Sequence, residues 1–142
     1  MAKAKILLID HNTDWLEFAK QELETAKYEV CIAKDVDEAF RMNSFDEFDL
    51  VFIGLDQIEV LQEHIELTDQ KKLPKRFIVT FPIRRTLDKV RIAFKAGAHD
   101  CVDKPFDKDS MLGLVSEQLD HSRSSKKPIK GIDLSFKFNT QK

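Results

Sequence analysis

The sequence predicts an α/β fold built on a doubly wound, five-stranded parallel sheet. Three observations lead to this class. Short apolar runs alternate along the chain with longer segments whose apolar residues recur at helical spacing. The clearest of these runs are continuously apolar, as in strands that are buried on both faces of a parallel sheet. The length of 142 residues is typical of one domain. A series of strand–helix units in one domain implies a parallel sheet, whose crossovers are right-handed.

Five segments are predicted as strands. The first and third are the continuously apolar runs, the second and fourth are rich in residues with high β-propensity, and the fifth is short. The predicted strands are residues 5–9, 28–33, 49–54, 76–80 and 100–102.

Helices are predicted after each strand. Asn12 precedes the first helix as a capping residue, and Asp35 can cap the second. The third shows imperfect spacing, and Gly97 is a typical stop after the fourth. The apolar residues that define the five helices begin at Trp15, Val36, Ile58, Leu87 and Met111.

Composition limits the classes of function. The formal net charge of −2 argues against a dedicated nucleic-acid binder. Cys31 and Cys101 form no CxxC pair, which favours a reducing compartment over a disulfide scaffold. The pure apolar runs are too short for a membrane span or a secretory signal. We therefore expect a cytoplasmic protein with no nucleic-acid or membrane partner.

The charge changes near the C-terminus. Residues 121–142 hold six basic residues and one acidic residue, so we divide the chain into a domain at 1–122 and a basic linker and tail at 123–142. Within the tail, apolar and polar residues alternate over 132–138, which is typical of a half-buried strand. A lone strand must pair with a sheet edge, of this chain or of a partner, or else be disordered, so an extra β-strand is a hypothesis for this segment.

Four blocks of the sequence resemble a known family. They are Lys5-Ile-Leu-Leu-Ile-Asp10, Phe48-Asp-Leu-Val-Phe-Ile53, Ala93-Phe-Lys-Ala-Gly-Ala98 and Asp103-Lys-Pro-Phe106, and they resemble the receiver domain of bacterial response regulators. The resemblance covers roughly residues 4–120. It implies the flavodoxin-like receiver topology, with the strand order 2-1-3-4-5, and a place in two-component phosphorelay signal transduction.

The resemblance also implies a chemistry. In the family, a partner kinase transfers a phosphoryl group from histidine to an aspartate that ends the third strand, and acidic residues hold Mg²⁺. Carried over position by position, Asp10 matches the first acidic residue and Lys104 matches the lysine that faces the phosphoryl group. Thr80 is our candidate for the hydroxyl position, although an ungapped count places Pro82 there. Lys104-Pro105 matches a position where the family has a cis peptide bond.

Three positions depart from the family pattern. His11 stands in place of the main metal-binding acid, and imidazole is a poor ligand for Mg²⁺. Gly54 stands in place of the phosphoacceptor, and glycine has no side chain to phosphorylate. Cys101 replaces the aromatic switch residue. The chain is therefore interpreted as a degenerate receiver, or pseudo-receiver, without catalytic residues, enzyme activity or a required cofactor.

An alternative remains open. Asp56 lies two residues past Gly54, and a strand that ran two residues longer would present it as the acceptor. In that case Asp10 and Asp56 would hold Mg²⁺. The alternative makes the chain an active phosphoacceptor receiver.

We expect this module to act through protein contacts. Its partner would be a sensor kinase or a downstream signalling protein. Residues 86–120 carry charges of both signs, which suits a homodimer. Without a phosphoacceptor, Lys104 needs another partner, and Asp10 is the nearest candidate for an ion pair.

Overall fold

A computed structural model describes residues 4–42, 45–68, 76–82 and 86–123. Its parallel sheet has the order β2-β1-β3-β4-β5, which confirms the predicted fold class and topology. The strands are β1 (Lys5–Ile9), β2 (Glu29–Ala33), β3 (Leu50–Gly54), β4 (Phe77–Phe81) and β5 (Asp100–Asp103). Within the described part of the chain, none of the helices is long and apolar enough to cross a membrane.

Five α-helices alternate with the strands. They are α1 (Thr13–Thr25), α2 (Val36–Met42), α3 (Ile58–Thr68), α4 (Leu87–Lys95) and α5 (Lys108–Arg123). Two short 3₁₀ turns, Phe45–Glu47 and Leu55–Gln57, flank β3. The predicted strand at 132–138, and most of the tail predicted for 123–142, lie outside the described residues.

The sheet is buried on both faces, which explains the continuously apolar strands. In β1, Ile6 and Leu8 pack in one core cluster with side chains of α1 and α5. Leu7 and Ile9 point to the other face, where they pack in a second cluster with side chains of α2, α3 and α4. Because successive side chains of a strand alternate between faces, only an unbroken apolar run satisfies both layers.

Strand pairing sets the ends of β4 and β5. The predictions stopped at Thr80 and at 102, but each strand runs one residue further because Phe81 pairs with Asp103. Lys104 then donates its backbone N–H to the Phe81 carbonyl over 2.9 Å. These ladder bonds depend on the neighbouring strand, which the local pattern does not report.

The predicted stop of α4 at Gly97 is confirmed. Gly97 has a φ of +107°, in the region that favours glycine. Its N–H and that of Ala98 return to carbonyls of the last helical turn, on Phe94 and Ala93. This glycine therefore closes α4 and starts the approach to β5.

A polar network lies at the opposite edge of the sheet from the strands' carboxyl ends. His99 Nδ1 accepts the backbone N–H of Phe77 over 3.1 Å, so the proton of the neutral ring is on Nε2. Arg76 donates to the buried Gln118 over 2.6 Å, and Gln118 donates to Asp100 over 2.9 Å. Desolvation, and secondarily the positive charge of Arg76, lower the pKa of His99 from its ordinary value of 6.5.

This shift has a consequence for the dependence of stability on pH. Just below pH 6.5 the unfolded chain binds a proton at residue 99 more readily than the folded chain. The contribution of His99 to the free energy of unfolding is therefore complete above that pH and falls as the pH drops towards the lowered pKa. Urea unfolding of wild type and His99→Asn between pH 5 and pH 7 measures it, because asparagine keeps an acceptor without titrating. An equal pH slope in both proteins would contradict the assignment.

Candidate functional site

The carboxyl edge of the sheet carries a cavity of about 620 Å³. The structure brings together all six residues that the resemblance placed in the degenerate phosphorylation pocket. They line the cavity and are Asp10, His11, Gly54, Asp56, Thr80 and Lys104. The seventh predicted residue, Cys101, is buried and does not line it.

Asp10 and Lys104 form a buried ion pair at the floor of the cavity. Lys104 Nζ lies 2.9 Å from Asp10 Oδ2, and both side chains are at most 6% exposed. Asp10 Oδ1 accepts the backbone N–H of Asn12 over 2.8 Å. Asp10 Oδ2 accepts no hydrogen bond of regular geometry. Its negative charge is therefore balanced by electrostatic attraction to the ammonium group rather than by a directed hydrogen bond. The ion pair predicted from the sequence is confirmed.

Trp15 holds the loop after β5 against α1. Its indole N–H donates to the Pro105 carbonyl over 2.6 Å, and Lys104 Nζ lies 5.2 Å from its ring centroid, a cation–π distance. The Lys104–Pro105 bond is trans, so the cis bond inferred from the resemblance is wrong for this chain.

Asp107 caps the start of α5, and hydrogen bonds from Ser110 lower the pKa of its carboxyl.

His11 is held at the mouth of the cavity by two neighbours from the 3₁₀ turn after β3. The Gln57 side-chain oxygen accepts the N–H of Val36 over 3.0 Å, which leaves its NH₂ group to face His11 Nε2 at 2.6 Å. His11 Nε2 is therefore the acceptor and Nδ1 carries the proton of the neutral ring. That Nδ1 lies 3.5 Å from Asp56 Oδ2, in a contact where both side chains are largely exposed.

Gly54 is not required by its backbone, because its φ of −62° and ψ of 145° suit any residue. A Cβ at this position would lie 3.2 Å from Asp56 Oδ1 and 3.3 Å from Asp10 Oδ2. Two carboxylate groups therefore face the space that a side chain at residue 54 would enter.

Asp56 reaches this space by a turn and not by an extended strand. β3 ends at Gly54, and residues 55–57 form a 3₁₀ turn. The condition under which we considered Asp56, a third strand two residues longer, is wrong. The turn nevertheless brings the Asp56 carboxylate over Gly54.

Thr80 and Cys101 lie on the two strands beside β3. Thr80 pairs with Gly54 in the parallel ladder and is fully buried, whereas Pro82 follows the end of β4. The hydroxyl at the level of residue 54 is therefore that of Thr80, whose Oγ1 lies 3.5 Å from the Ile53 carbonyl. Cys101 packs in the core cluster on the side of α2, α3 and α4, where its small side chain leaves no ring to rotate.

The residues present do not fit the Mg²⁺ ion that the resemblance implies. Mg²⁺ prefers oxygen ligands in octahedral geometry. Here Lys104 engages Asp10, His11 offers nitrogen, and Gly54 offers no side chain. Across residues 4–42, 45–68, 76–82 and 86–123, no three His, Cys, Asp or Glu side chains gather as candidate metal ligands.

Sequence reasoning missed several residues of the site. Gln57 and Trp15 were not among the predicted pocket residues, yet each fixes a neighbour across the edge. Lys89 and Ile92 of α4 also line the cavity. Gln57 stands between Asp56 and Ile58, and nothing in that local pattern marks it for a buried hydrogen-bonding role.

The fold is of the doubly wound α/β class, with its cavity at the carboxyl ends of the strands. A family model described as the response regulator receiver domain matches residues 6–116. The chain belongs to this family, whose members are signalling modules of two-component systems.

Individual relatives agree with this assignment. The chain is 25% identical over 130 residues to the nisin biosynthesis regulatory protein NisR of Lactococcus lactis subsp. lactis, covering 88% of this chain and 54% of the relative. It therefore spans about half the length of that curated relative.

Solved structures show the same fold. A CheY-like response regulator receiver domain from Methanospirillum hungatei JF-1 is similar with a TM-score of 0.68 and 24% identity, over 86% of this chain and 98% of the other. A response regulator from Burkholderia pseudomallei with a phosphorylated aspartic acid, calcium ion and citrate is similar with a TM-score of 0.64 and 20% identity. The match covers 87% of this chain and 73% of the other.

Proposed function

We propose that this chain is a pseudo-receiver of two-component signalling that works without aspartyl phosphorylation and acts by binding another protein. The observation that carries the proposal is Gly54 at the end of β3, where the family has its phosphoacceptor. The pairing of Lys104 with Asp10 supports it, because the lysine that would face a phosphoryl group already has a buried partner. On this proposal the domain has no enzyme activity, needs no cofactor and works in the cytoplasm.

The partner surface that we propose is the contact face, formed by Leu87 and Ile92 of α4 and Phe106 of the loop after β5. Among the described residues these are the large apolar side chains that are exposed, and Phe106 is 65% exposed. A contiguous exposed apolar patch marks a protein-interaction site, and we propose that these three side chains form one. We propose a sensor kinase or a downstream signalling protein as partner, and neither nucleic acid nor membrane.

A phosphodonor tests the function directly. After incubation with acetyl phosphate and Mg²⁺, intact-mass spectrometry of the folded protein is expected to show no gain of a phosphoryl group, which would add about 80 Da. A receiver with an intact acceptor, treated in parallel, checks the reagent.

Asp56 offers the second candidate function, because its Oδ1 lies 3.2 Å from the position that a Cβ at residue 54 would take. That alternative would require Asp10, which is paired with Lys104 in this structure, to hold Mg²⁺ together with Asp56 while Asp56 accepts the phosphoryl group. A mass gain that Asp56→Asn removes would establish this alternative and overturn the first proposal.

A second copy of the chain is one partner that we propose for residues 86–120, a range that includes the contact face. Phe106→Ser is expected to weaken self-association by about tenfold, because burial of a phenylalanine side chain contributes 1.5 kcal/mol or more. Sedimentation equilibrium over a range of concentrations measures this, and Glu17→Ser on α1 is the matched exposed control. A wild-type protein that stays monomeric would limit the contact face to other proteins.

A further inference from the structure

The cavity above Gly54 has the dimensions of a small-molecule site. Its volume of about 620 Å³ lies within the usual range for ligand pockets. Its walls include the apolar side chains of Leu55, Ile58, Pro82 and Ile92. Apolar walls with a few convergent polar groups are typical of sites for small organic molecules.

The floor of this cavity presents hydrogen-bond acceptors. Asp10 Oδ2 is buried and accepts no regular hydrogen bond, although the Lys104 ammonium group lies 2.9 Å away. Asp10 Oδ2 and Asp56 Oδ1 lie within 3.3 Å of one point, the Cβ position of Gly54. Asp10 Oδ2 is fully buried beside Lys104, whereas the Asp56 side chain is largely exposed, so Asp56 is the carboxylate that a ligand can reach.

The charge of the lining favours a cation. The charges of Lys104 and Asp10 cancel, which leaves the negative charges of Asp56 and Glu59 against the positive charge of Lys89. His11 is counted as neutral in the formal charge at pH 7. An anion would meet the carboxylates of Asp56 and Glu59, whereas a cation with N–H groups can pair with Asp56.

We propose that the cavity binds a small organic cation, an amidinium or ammonium group on an apolar ring or chain. The N–H groups donate to the exposed carboxylate of Asp56, and the apolar part packs against Ile58 and Ile92. Because Ile92 also belongs to the contact face, such a ligand acts on a residue that a partner protein would bury. The inference rests on the proposed function in one respect, that no phosphoryl group occupies this pocket.

Three compounds of the same shape and different charge test the proposal. Benzamidine is a cation, benzamide is neutral and benzoate is an anion. Each is titrated into the ¹⁵N-labelled full chain at pH 7, with the backbone amides of Gly54 and Leu55 and the single indole N–H, that of Trp15, as reporters. Benzamidine is expected to shift these signals with a Kd in the range of about 1–10 mM, as befits a ligand of fragment size. Benzamide is expected to bind at least about fivefold more weakly, and benzoate to cause no saturable shift.

Two variants separate the pocket from the general surface charge. Asp56→Asn is expected to weaken the binding of benzamidine about fivefold, because it removes the exposed carboxylate that would pair with the amidinium group. Asp109→Asn removes an exposed carboxylate outside the cavity lining and is expected to change nothing.

Equal binding of the three compounds, no saturable shift with benzamidine, or full benzamidine binding to Asp56→Asn would each overturn the inference. These outcomes are distinct from failure of the proposed function, which the mass gain with acetyl phosphate alone decides.

Discussion

Replacing Gly54 with aspartate is expected to make the stability of the domain depend on Mg²⁺. The backbone accepts the change, because φ is −62° and ψ is 145°. The new carboxyl group would project from a Cβ that lies 3.2 Å from Asp56 Oδ1 and 3.3 Å from Asp10 Oδ2. Like charges at such distances cannot all ionise without cost. We expect the free energy of unfolding to fall by about 2 kcal/mol without divalent cations. Most of this is expected to return in about 10 mM Mg²⁺, since a ligand that binds only the folded state stabilises it.

Urea unfolding with and without Mg²⁺ measures this effect. Gly54→Asn is the matched control, because it adds a side chain of nearly the same shape without the charge. The wild type and this control are expected to show no response to Mg²⁺. If Mg²⁺ stabilised the wild type as much as the aspartate variant, the pocket would already bind the ion, and our assignment of its donor set would be wrong.

Lys104→Met is expected to be the more damaging change at this edge, with a loss of about 3–5 kcal/mol in the free energy of unfolding. The methionine side chain keeps much of the apolar stem but removes the ammonium group. Asp10, whose side chain is 6% exposed, would then be a buried carboxylate without a balancing cation. Removing one partner of a buried pair costs far more than removing both.

The double variant Asp10→Asn/Lys104→Met therefore tests the reason as well as the size of the effect. It is expected to recover most of the stability that Lys104→Met loses, as measured by urea unfolding at pH 7. Lys108→Met, at the exposed start of α5, is the matched control and is expected to unfold like the wild type. If Lys104→Met were as stable as this control, the ion pair would not be balancing a buried charge.

Local patterns in the sequence were sufficient for the fold. The apolar run from Lys5 to Ile9 predicted a strand buried on both faces, and Gly97 predicted the end of α4. The pairing of Asp10 with Lys104 also followed, because both residues come directly after strands of one parallel sheet. Each of these predictions uses residues close in sequence or a rule about strand ends.

Contacts between distant segments were not predictable in the same way. The prediction ended β3 at Gly54 and considered a longer strand only for the alternative in which Asp56 is the acceptor. The chain instead turns at residues 55–57 and brings the Asp56 carboxylate back over Gly54. The bond from Trp15 to the Pro105 carbonyl joins residues 90 positions apart. The register of β4 against β3 placed Thr80, and not Pro82, level with Gly54.

The order of residues along the chain thus established the α/β class, the family and the absence of a side chain at position 54. Hydrophobic periodicity and short motifs carry that information, because burial on one or two faces repeats every few residues. Which groups face the vacated space was decided by the folded arrangement, through the register of β4 and the turn at residues 55–57. Those features depend on packing between segments far apart in the chain, and no periodicity encodes them.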